Sequence, residues 1–282
     1  MKLKTKLFLS IFSLLVIGVY LYWGNNAIET TQYSYSSDEI PQSFDGYTIV
    51  QVSDLHNKEF DEKLTTKIEA ENPDIIVITG DLIDRNRTDL TVAQDFLEEA
   101  SDIAPLYFVS GNHEVASNKY PELQEILDEE GVINLDNTSH TLTENNEQIN
   151  LLGLADPLTM LLEEIEEEGS DERVLQKEMT DLMNESPADF NLLLSHRAEL
   201  LDIYEESGVD LVFTGHAHGG QIRLPIIGGL YSPGQGLLPG YTIGEYTEGN
   251  TTMIVSRGLG NSIFPLRVFN RPELVVMTLE AR

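Results

Sequence analysis

The chain has 282 residues, of which 17 are Lys or Arg and 48 are Asp or Glu, so its formal net charge at neutral pH is −31. A net charge of this sign repels polyanions, and we therefore expect no nucleic-acid partner. The chain has no cysteine, which excludes disulfide bonds, thiolate metal sites and cysteine nucleophiles.

The first 23 residues have the pattern of a membrane segment. Three lysines precede an uncharged run from Leu7 to Trp23, which reaches the lower length limit of a membrane-spanning helix, about 17–25 residues. We favour an uncleaved anchor over a removed signal peptide, because no small-x-small cleavage site follows the run. The lysines precede the span, so the positive-inside rule predicts a single-pass protein of the cell membrane with its main domain outside the cytoplasm.

Residues 24–44 are polar, with Ser, Thr, Asn and Gly and no apolar period. This composition predicts a tether between the membrane and the folded part of the chain. We therefore assign residues 45–282 to one folded domain, a length that can bury a core without cross-links.

After the tether, short apolar runs alternate with helical stretches, which is typical of an α/β fold. The predicted strands are 47–52, 75–79, 106–109, 191–194 and 211–213. The predicted helices are 61–70, 88–101, 121–130, 158–184 and 198–207. The acidic run at 163–172 (EEIEEEGSDE) lies within one of these helices and is interpreted as a solvated helix face, in preference to a lid over substrate.

Each predicted strand is followed by polar residues that can bind metal. The five exits are SDLH at 53–56, GDLID at 80–84, GNHE at 111–114, SH at 195–196 and GHAH at 215–218. Of the six histidines only His140 lies elsewhere. Because the carboxyl ends of strands line the ligand crevice of open α/β sheets, we expect these exits to meet in one site.

Asp, Asn and His together offer oxygen and imidazole donors, which suit Mn²⁺, Fe or Zn²⁺. Taken singly, each such residue is more often a turn or a satisfied core residue; the ordered series favours metal binding. A full set of seven is too many for one open ion and suits two ions that share a carboxylate. The candidate ligands are Asp54, His56, Asp81, Asn112, His196, His216 and His218.

The series D-x-H, G-D-x-x-D, G-N-H-E, H and G-H-x-H resembles the calcineurin-like metallophosphoesterase superfamily. Three later segments resemble its membrane-anchored bacterial phosphodiesterase branch: GGQIRLP (219–225), SRGLGNS (256–262) and NRPELVVMTL (270–279). The resemblance implies an α/β fold in which two mixed sheets form a four-layer α/β/β/α sandwich, with two divalent ions at the strand ends.

The resemblance also implies a role for each candidate. Asp54, His56 and His218 would hold one ion, Asn112, His196 and His216 the other, and Asp81 would bridge both. His113 would be the general acid beside the leaving group, and Asp84 or Glu114 would orient it. Glu114 stands where the family often has Asp, which leaves the role of that residue open.

Phosphoester hydrolysis by a hydroxide that both ions acidify is the reaction expected from such a site. Arg197, Arg223 and Arg257 lie within or just after the motifs and are candidates to bind substrate, with a surface role as the alternative. Membrane attachment makes a lipid-linked phosphodiester or pyrophosphate a candidate substrate. The apolar segment 224–240 is then either a lipid-facing rim or a connection packed on the sheet.

Two other functions remain open at this stage. One is a catalytically inactive scaffold of the same fold, although such a scaffold would be expected to lack His113 or some of the ligands. The other is a membrane-tethered binding module that uses the acidic surface.

Overall fold

Two six-stranded mixed sheets lie face to face in the computed structural model, which describes residues 3–262 and 264–282. Sixteen strands are present in the described residues. They are β1 (Glu29–Ser37), β2 (Thr48–Val52), β3 (Ile75–Thr79), β4 (Leu106–Val109), β5 (Ile133–Asn134), β6 (Thr138–Glu144), β7 (Glu147–Gly153), β8 (Asn191–Arg197), β9 (Leu211–Gly215), β10 (Arg223–Leu224), β11 (Gly228–Gly229), β12 (Tyr231–Ser232), β13 (Gly236–Leu237), β14 (Gly244–Glu248), β15 (Thr251–Val255) and β16 (Glu273–Ala281).

The first sheet has the strand order β1-β16-β2-β3-β4-β5, in which only the β16–β2 pair is antiparallel. The second has the order β14-β15-β9-β8-β7-β6, and its two outer pairs are antiparallel. Strands β10 to β13 form two short hairpins outside both sheets. The parallel strands β2, β3, β4, β8 and β9 carry the five motifs that the sequence marks as functional.

Eight α-helices accompany the sheets in the described part of the chain. They are α1 (Leu3–Asn26), α2 (Lys63–Ala70), α3 (Leu90–Ser101), α4 (Asn112–Ala116), α5 (Tyr120–Glu129), α6 (Leu162–Glu168), α7 (Asp171–Asn184) and α8 (Leu201–Glu206). Helix α1 is long and apolar enough to cross a membrane, and it is almost entirely exposed outside the folded domain.

Alternating side chains of the strands place the core in three layers. In β3, Ile75 and Val77 face the second sheet, whereas Ile76 and Ile78 face helices α2, α3 and α5. This period of two is the geometry of a strand buried on both faces. The outer face of the second sheet packs against α7 and α8. The expected four-layer α/β/β/α sandwich with two mixed sheets is therefore confirmed.

The predicted tether at 24–44 contains a strand. Strand β1 pairs in parallel with β16 from Glu29 to Ser37, and the alternating Tyr33 and Tyr35 pack against the core between the sheets. Hydrogen bonds to β16, some 240 residues away in the chain, hold this polar segment in the sheet. Local sequence patterns do not reveal such a distant partner.

The predicted helix at 158–184 is divided. A 3₁₀ turn at Pro157–Thr159 precedes α6, and Gly169, with φ of 92°, is the C-cap of that helix. Helix α7 begins after Ser170, whose hydroxyl accepts a hydrogen bond from the N–H of Arg173. A left-handed glycine followed by a serine cap is a helix stop and start. The acidic run spans this break and is mostly exposed.

Candidate metal centre and catalytic pocket

The candidate ligands follow strands of both sheets. Asp54 and His56 follow β2, Asp81 follows β3, and Asn112 begins α4 after β4. The three remaining candidates lie in or after β8 and β9 of the second sheet. Strand β8 extends beyond the prediction, with an irregular register between Leu194 and Arg197, and this bulge contains His196.

Left-handed backbone conformations are concentrated at these exits. Five of the seven candidate ligands have positive φ: Asp54 (51°), His56 (49°), Asp81 (52°), His216 (64°) and His218 (47°). Such conformations cost a residue other than glycine about 1–3 kcal/mol each and persist only where the surroundings enforce them. Their concentration at the strand exits is consistent with the functional site that the motifs predict.

One group of donors is formed by Asp54, His56, Asp81 and His218, all of which are buried. The Nε2 atom of His218 lies 3.3 Å from an oxygen of Asp54, and Nε2 of His56 lies 3.4 Å from Oδ2 of Asp81. The two Nε2 atoms are 3.1 Å apart. Two nitrogens this close cannot both carry a proton, so at least one of them presents a lone pair. Imidazole lone pairs and carboxylate oxygens therefore point into the same small space, which suits a cation.

A second group consists of Asp81, His196 and His216. Oδ2 of Asp81 lies 3.3 Å from Nε2 of His196, which is 3.1 Å from Nδ1 of His216. Nδ1 of His196 donates to the carbonyl of Thr79 at 2.8 Å. That bond places the ring proton on Nδ1 and leaves the Nε2 lone pair available to a metal, as in metal sites generally. The same oxygen of Asp81 thus faces both groups.

Asn112 lines the same pocket as Asp81, His216 and His218, which belong to the two donor groups. Its Oδ1 atom is buried and accepts no hydrogen bond from any described residue. Buried acceptors are nearly always satisfied in folded proteins, and an ion is one of the partners that explain an exception. The orphaned oxygen and the two donor groups together fit the binding of divalent metal at this place.

The ionisation of the site also fits cations. Burial lowers the pKa of His56 to about 4 and lowers the pKa values of His216 and His218 well below the usual range, so these rings are neutral, as metal binding requires. Burial also lowers the pKa of His196, but Asp81 and Asp54 outweigh it and raise that pKa to about 10. A proton held there by two carboxylates marks a position where positive charge is favourable.

His113 lines the same pocket and lies in the first turn of α4. Its Nδ1 accepts the backbone N–H of Arg85 at 3.1 Å and lies 3.7 Å from an Asp84 oxygen. In the neutral ring the proton therefore lies on Nε2. Of the two residues expected to orient His113, Asp84 is the one close to the ring.

Glu114 has a different position from the one expected. Its carboxylate accepts the backbone N–H groups of Asp81 at 2.8 Å, Ile83 at 3.0 Å and Gly111 at 2.8 Å. It therefore binds the loops after β3 and β4 together beneath the candidate bridging carboxylate. Burial raises the pKa of Glu114 to about 8. The backbone N–H groups of Ile83 and Gly111 stabilise the carboxylate and lower this pKa, but they do not outweigh burial.

The three candidate substrate-binding arginines have separate surroundings. Arg197 lines the catalytic pocket and makes a bidentate pair with Asp156, with Nε–Oδ2 and Nη2–Oδ1 distances of 2.6 and 3.1 Å. Arg223 instead donates to the carbonyl of Gly219, and Arg257 pairs with Glu273 at 2.9 Å. Neither of these two is among the residues that line the pocket.

Two residues near the metal centre were missed from the sequence. Arg267 is fully buried, and its Nη2 lies 3.5 Å from Nδ1 of His218. Asp156, also fully buried, holds Arg197, whose Nη1 is 3.0 Å from Nε2 of His216. Neither belongs to one of the five motifs singled out in the sequence, and only the folded chain brings them to the candidate ligands.

The catalytic pocket has a volume of about 220 Å³. It is lined by Asp81, Asn112 and the two histidines that follow β9, and by Arg85 and Arg197. Candidate metal-binding atoms and cationic side chains thus line one solvent-accessible pocket. It is thus suited to a compact anion that approaches a pair of cations.

Comparison with known proteins agrees with this geometry. Residues 47–220 match the profile of the family described as calcineurin-like phosphoesterase. The chain is 31% identical to the uncharacterised metallophosphoesterase YkuE of Bacillus subtilis, over 94% of this chain and 90% of that one. It is 25% identical to the phosphodiesterase YaeI of Escherichia coli, over 83% and 82%. The crystal structure of TT1561 of Thermus thermophilus shares the fold, with a TM-score of 0.50 and 15% identity over 76% of this chain and 90% of that one.

Proposed function

The chain belongs to the calcineurin-like phosphoesterase family and is a hydrolase of phosphoric esters, and on that premise we propose that it cleaves a phosphodiester with two divalent cations. The observation that carries the proposal is the single oxygen of Asp81 that faces both donor groups, at 3.4 Å from His56 and 3.3 Å from His196. A phosphodiester is favoured because the relative YaeI is named a phosphodiesterase.

Each cation would have its own ligands in addition to the bridging Asp81. Asp54, His56 and His218 would hold one, and Asn112, His196 and His216 the other. When bound, the pair supplies an acidified water and neutralises the charge of the phosphoryl oxygens. Mn²⁺, Fe and Zn²⁺ all suit this mixture of nitrogen and oxygen donors.

The protein's own contribution is to position the ester and to provide a proton. We propose that Nε2 of His113 donates to the leaving oxygen, with the ring held by Asp84 and by the N–H of Arg85. Arg197, fixed by Asp156, would face the non-bridging oxygens from the pocket wall.

Hydrolysis of bis-p-nitrophenyl phosphate by the full-length protein, with Mn²⁺ and after chelation, tests the proposal. We expect turnover that requires metal. His113→Ala should retain two ions and, with a diester whose leaving group is an alkoxide, lose at least a hundredfold in kcat, within the usual contribution of a general acid of about 10²–10⁴. His216→Ala should lose one ion in metal analysis. Turnover of the parent that is independent of metal, or no turnover of any phosphoester, would contradict the proposal and favour a scaffold or a binding module.

We further propose that α1 anchors the enzyme in the cell membrane, with the catalytic domain on the extracytoplasmic side. The proposal is supported by the apolar exposed helix and by the lysines at its start. Protease added to intact cells should remove the domain, whereas full protection would reverse the orientation. This location makes lipid-linked phosphoesters accessible to the pocket.

A further inference from the structure

A second cavity adjoins the catalytic pocket. It has a volume of about 370 Å³ and is lined mainly by apolar side chains, among them Ile222, Leu230, Tyr231 and Phe264. Pro233 and Ser262 line both this cavity and the catalytic pocket. A ligand whose phosphate lies over the metal centre therefore has an apolar space within reach of its other end.

The wall of this apolar cavity contains one buried polar group. Gln221 lines the cavity, is only 6% exposed and has a left-handed backbone with φ of 59°. Neither its Oε1 nor its Nε2 bonds to any described residue. An unpaired buried carboxamide destabilises a folded protein. A ligand that carries a hydrogen-bonding group between its phosphate and an apolar part would satisfy both atoms.

The apolar cavity also lies on the side of the domain from which α1 departs. The N–H of Phe269 donates to the hydroxyl of Tyr20 in α1 at 3.1 Å, and the two rings are 5.6 Å apart. Phe264, which lines the cavity, belongs to the same connection as Phe269 and is exposed, as is Leu266 between them. The connection that carries Phe264 therefore contacts the C-terminal part of α1, and its exposed apolar side chains would lie near the membrane that α1 is proposed to enter.

We propose that this apolar cavity binds the hydrocarbon chain of an amphiphilic phosphodiester substrate, and that Gln221 binds the polar linkage between chain and phosphate. The proposal rests on the proposed phosphodiesterase function and specifies its substrate class. The occupant is the substrate's own chain, because the cavity and the catalytic pocket share two wall residues and one molecule can fill both.

The test uses alkyl p-nitrophenyl phosphodiesters from methyl to octyl, hydrolysed by the full-length protein in phospholipid nanodiscs with Mn²⁺. Each methylene buried in the cavity should raise kcat/KM about fourfold until the space is filled. Phe264→Asn should reduce the octyl-to-methyl ratio of kcat/KM at least tenfold. Leu237→Asn, which changes an 81% exposed leucine that does not line the cavity, should leave the ratio at the parent value and so controls for partition into the lipid.

Gln221→Met replaces the carboxamide by an apolar side chain of similar length. The parent should prefer a chain that carries an ester near the phosphate to an all-carbon chain of equal length, by about tenfold, and the variant should lose that preference. Without ligand, the variant should unfold at a higher temperature than the parent, because the unpaired group is gone.

The outcomes separate the two proposals. If the methyl diester is not hydrolysed with metal, the proposed function itself fails. If it is hydrolysed but kcat/KM is independent of chain length, or rises equally in the parent and in Phe264→Asn, the function stands and the chain-binding cavity is refuted. If Leu237→Asn lowered the octyl-to-methyl ratio of kcat/KM as much as Phe264→Asn does, the chain-binding cavity would also be refuted. The effect of chain length would then arise from partition into the lipid and not from the cavity.

Discussion

Gly258→Ala is expected to damage the metal centre through a single methyl group. Gly258 has φ of 68°, and a β-carbon placed there would lie 2.6 Å from Cβ of Asp54 and 3.0 Å from its Oδ2. Asp54 has no room to move, because it is fully buried and its carboxylate accepts bonds from the hydroxyl of Ser53 at 2.6 Å and the N–H of His216 at 3.1 Å. The clash must therefore displace the carboxylate from His218.

The magnitude follows from two contributions. A left-handed alanine costs about 1–2 kcal/mol relative to glycine, and overpacking a filled site costs about 1–3 kcal/mol more. Gly208→Ala is the matched control: Gly208 has φ of 79°, but no atom lies within 4 Å of the position that a β-carbon would take there. We therefore expect a loss of about 2–5 kcal/mol in the free energy of unfolding for Gly258→Ala and of about 1–2 kcal/mol for Gly208→Ala.

Three measurements on both variants test this reasoning: denaturant unfolding without metal, metal content after reconstitution, and kcat/KM for bis-p-nitrophenyl phosphate. Gly208→Ala should keep two ions and the parent's activity. Gly258→Ala should lose at least one ion and more than about 90% of the activity. A tenfold loss of activity corresponds to about 1.4 kcal/mol of lost transition-state stabilisation. The reasoning is refuted if Gly258→Ala binds both ions, is fully active and is no less stable than the control.

Three further variants test other parts of the structure. Glu114→Gln replaces an acceptor of three backbone N–H groups by an amide that can satisfy fewer, so metal affinity should fall about 10–100-fold in a titration. Asn25→Ala removes the reciprocal bonds of that side chain with the main chain of Arg267 and should cost about 1–3 kcal/mol in unfolding, whereas Asn26→Ala, at an exposed site, should cost little. Burial raises the pKa of Asp210 to about 7, so the folded chain holds this proton more tightly than the unfolded chain does. The resulting stability is fully present below about pH 4 and is lost as the pH rises to about 7. Solvent reaches this half-buried group and weakens the effect, so we expect a contribution of about 1–2 kcal/mol to the free energy of unfolding. Urea unfolding at about pH 4 and about pH 7 should show this difference in the parent and not in Asp210→Asn.

The principal strands, their order along the chain and the ligand-bearing exits could be predicted from the sequence. Strands β3 and β4 were placed at their observed bounds, because a continuous β-branched or aromatic run that ends at Gly or Ser is a local signal. Local signals also marked the break after Gly169, although the prediction passed over it. The α/β/β/α arrangement was predicted from the resemblance of the motif series to a known family. The family match over residues 47–220 supports that resemblance.

Tertiary structure alone decided the features that depend on distant partners. Strand β1 is polar and is held by β16 from the other end of the chain. Arg267 reaches His218 only when the loop after β15 folds across the site. The sequence shows neither the pairing of Arg257 with Glu273 nor that the carboxamide of Gln221 has no hydrogen-bond partner among the described residues. Composition and period report what a residue prefers locally, whereas which side chain lies beside which is set by the packing of two sheets, whose contacts join residues far apart in the chain.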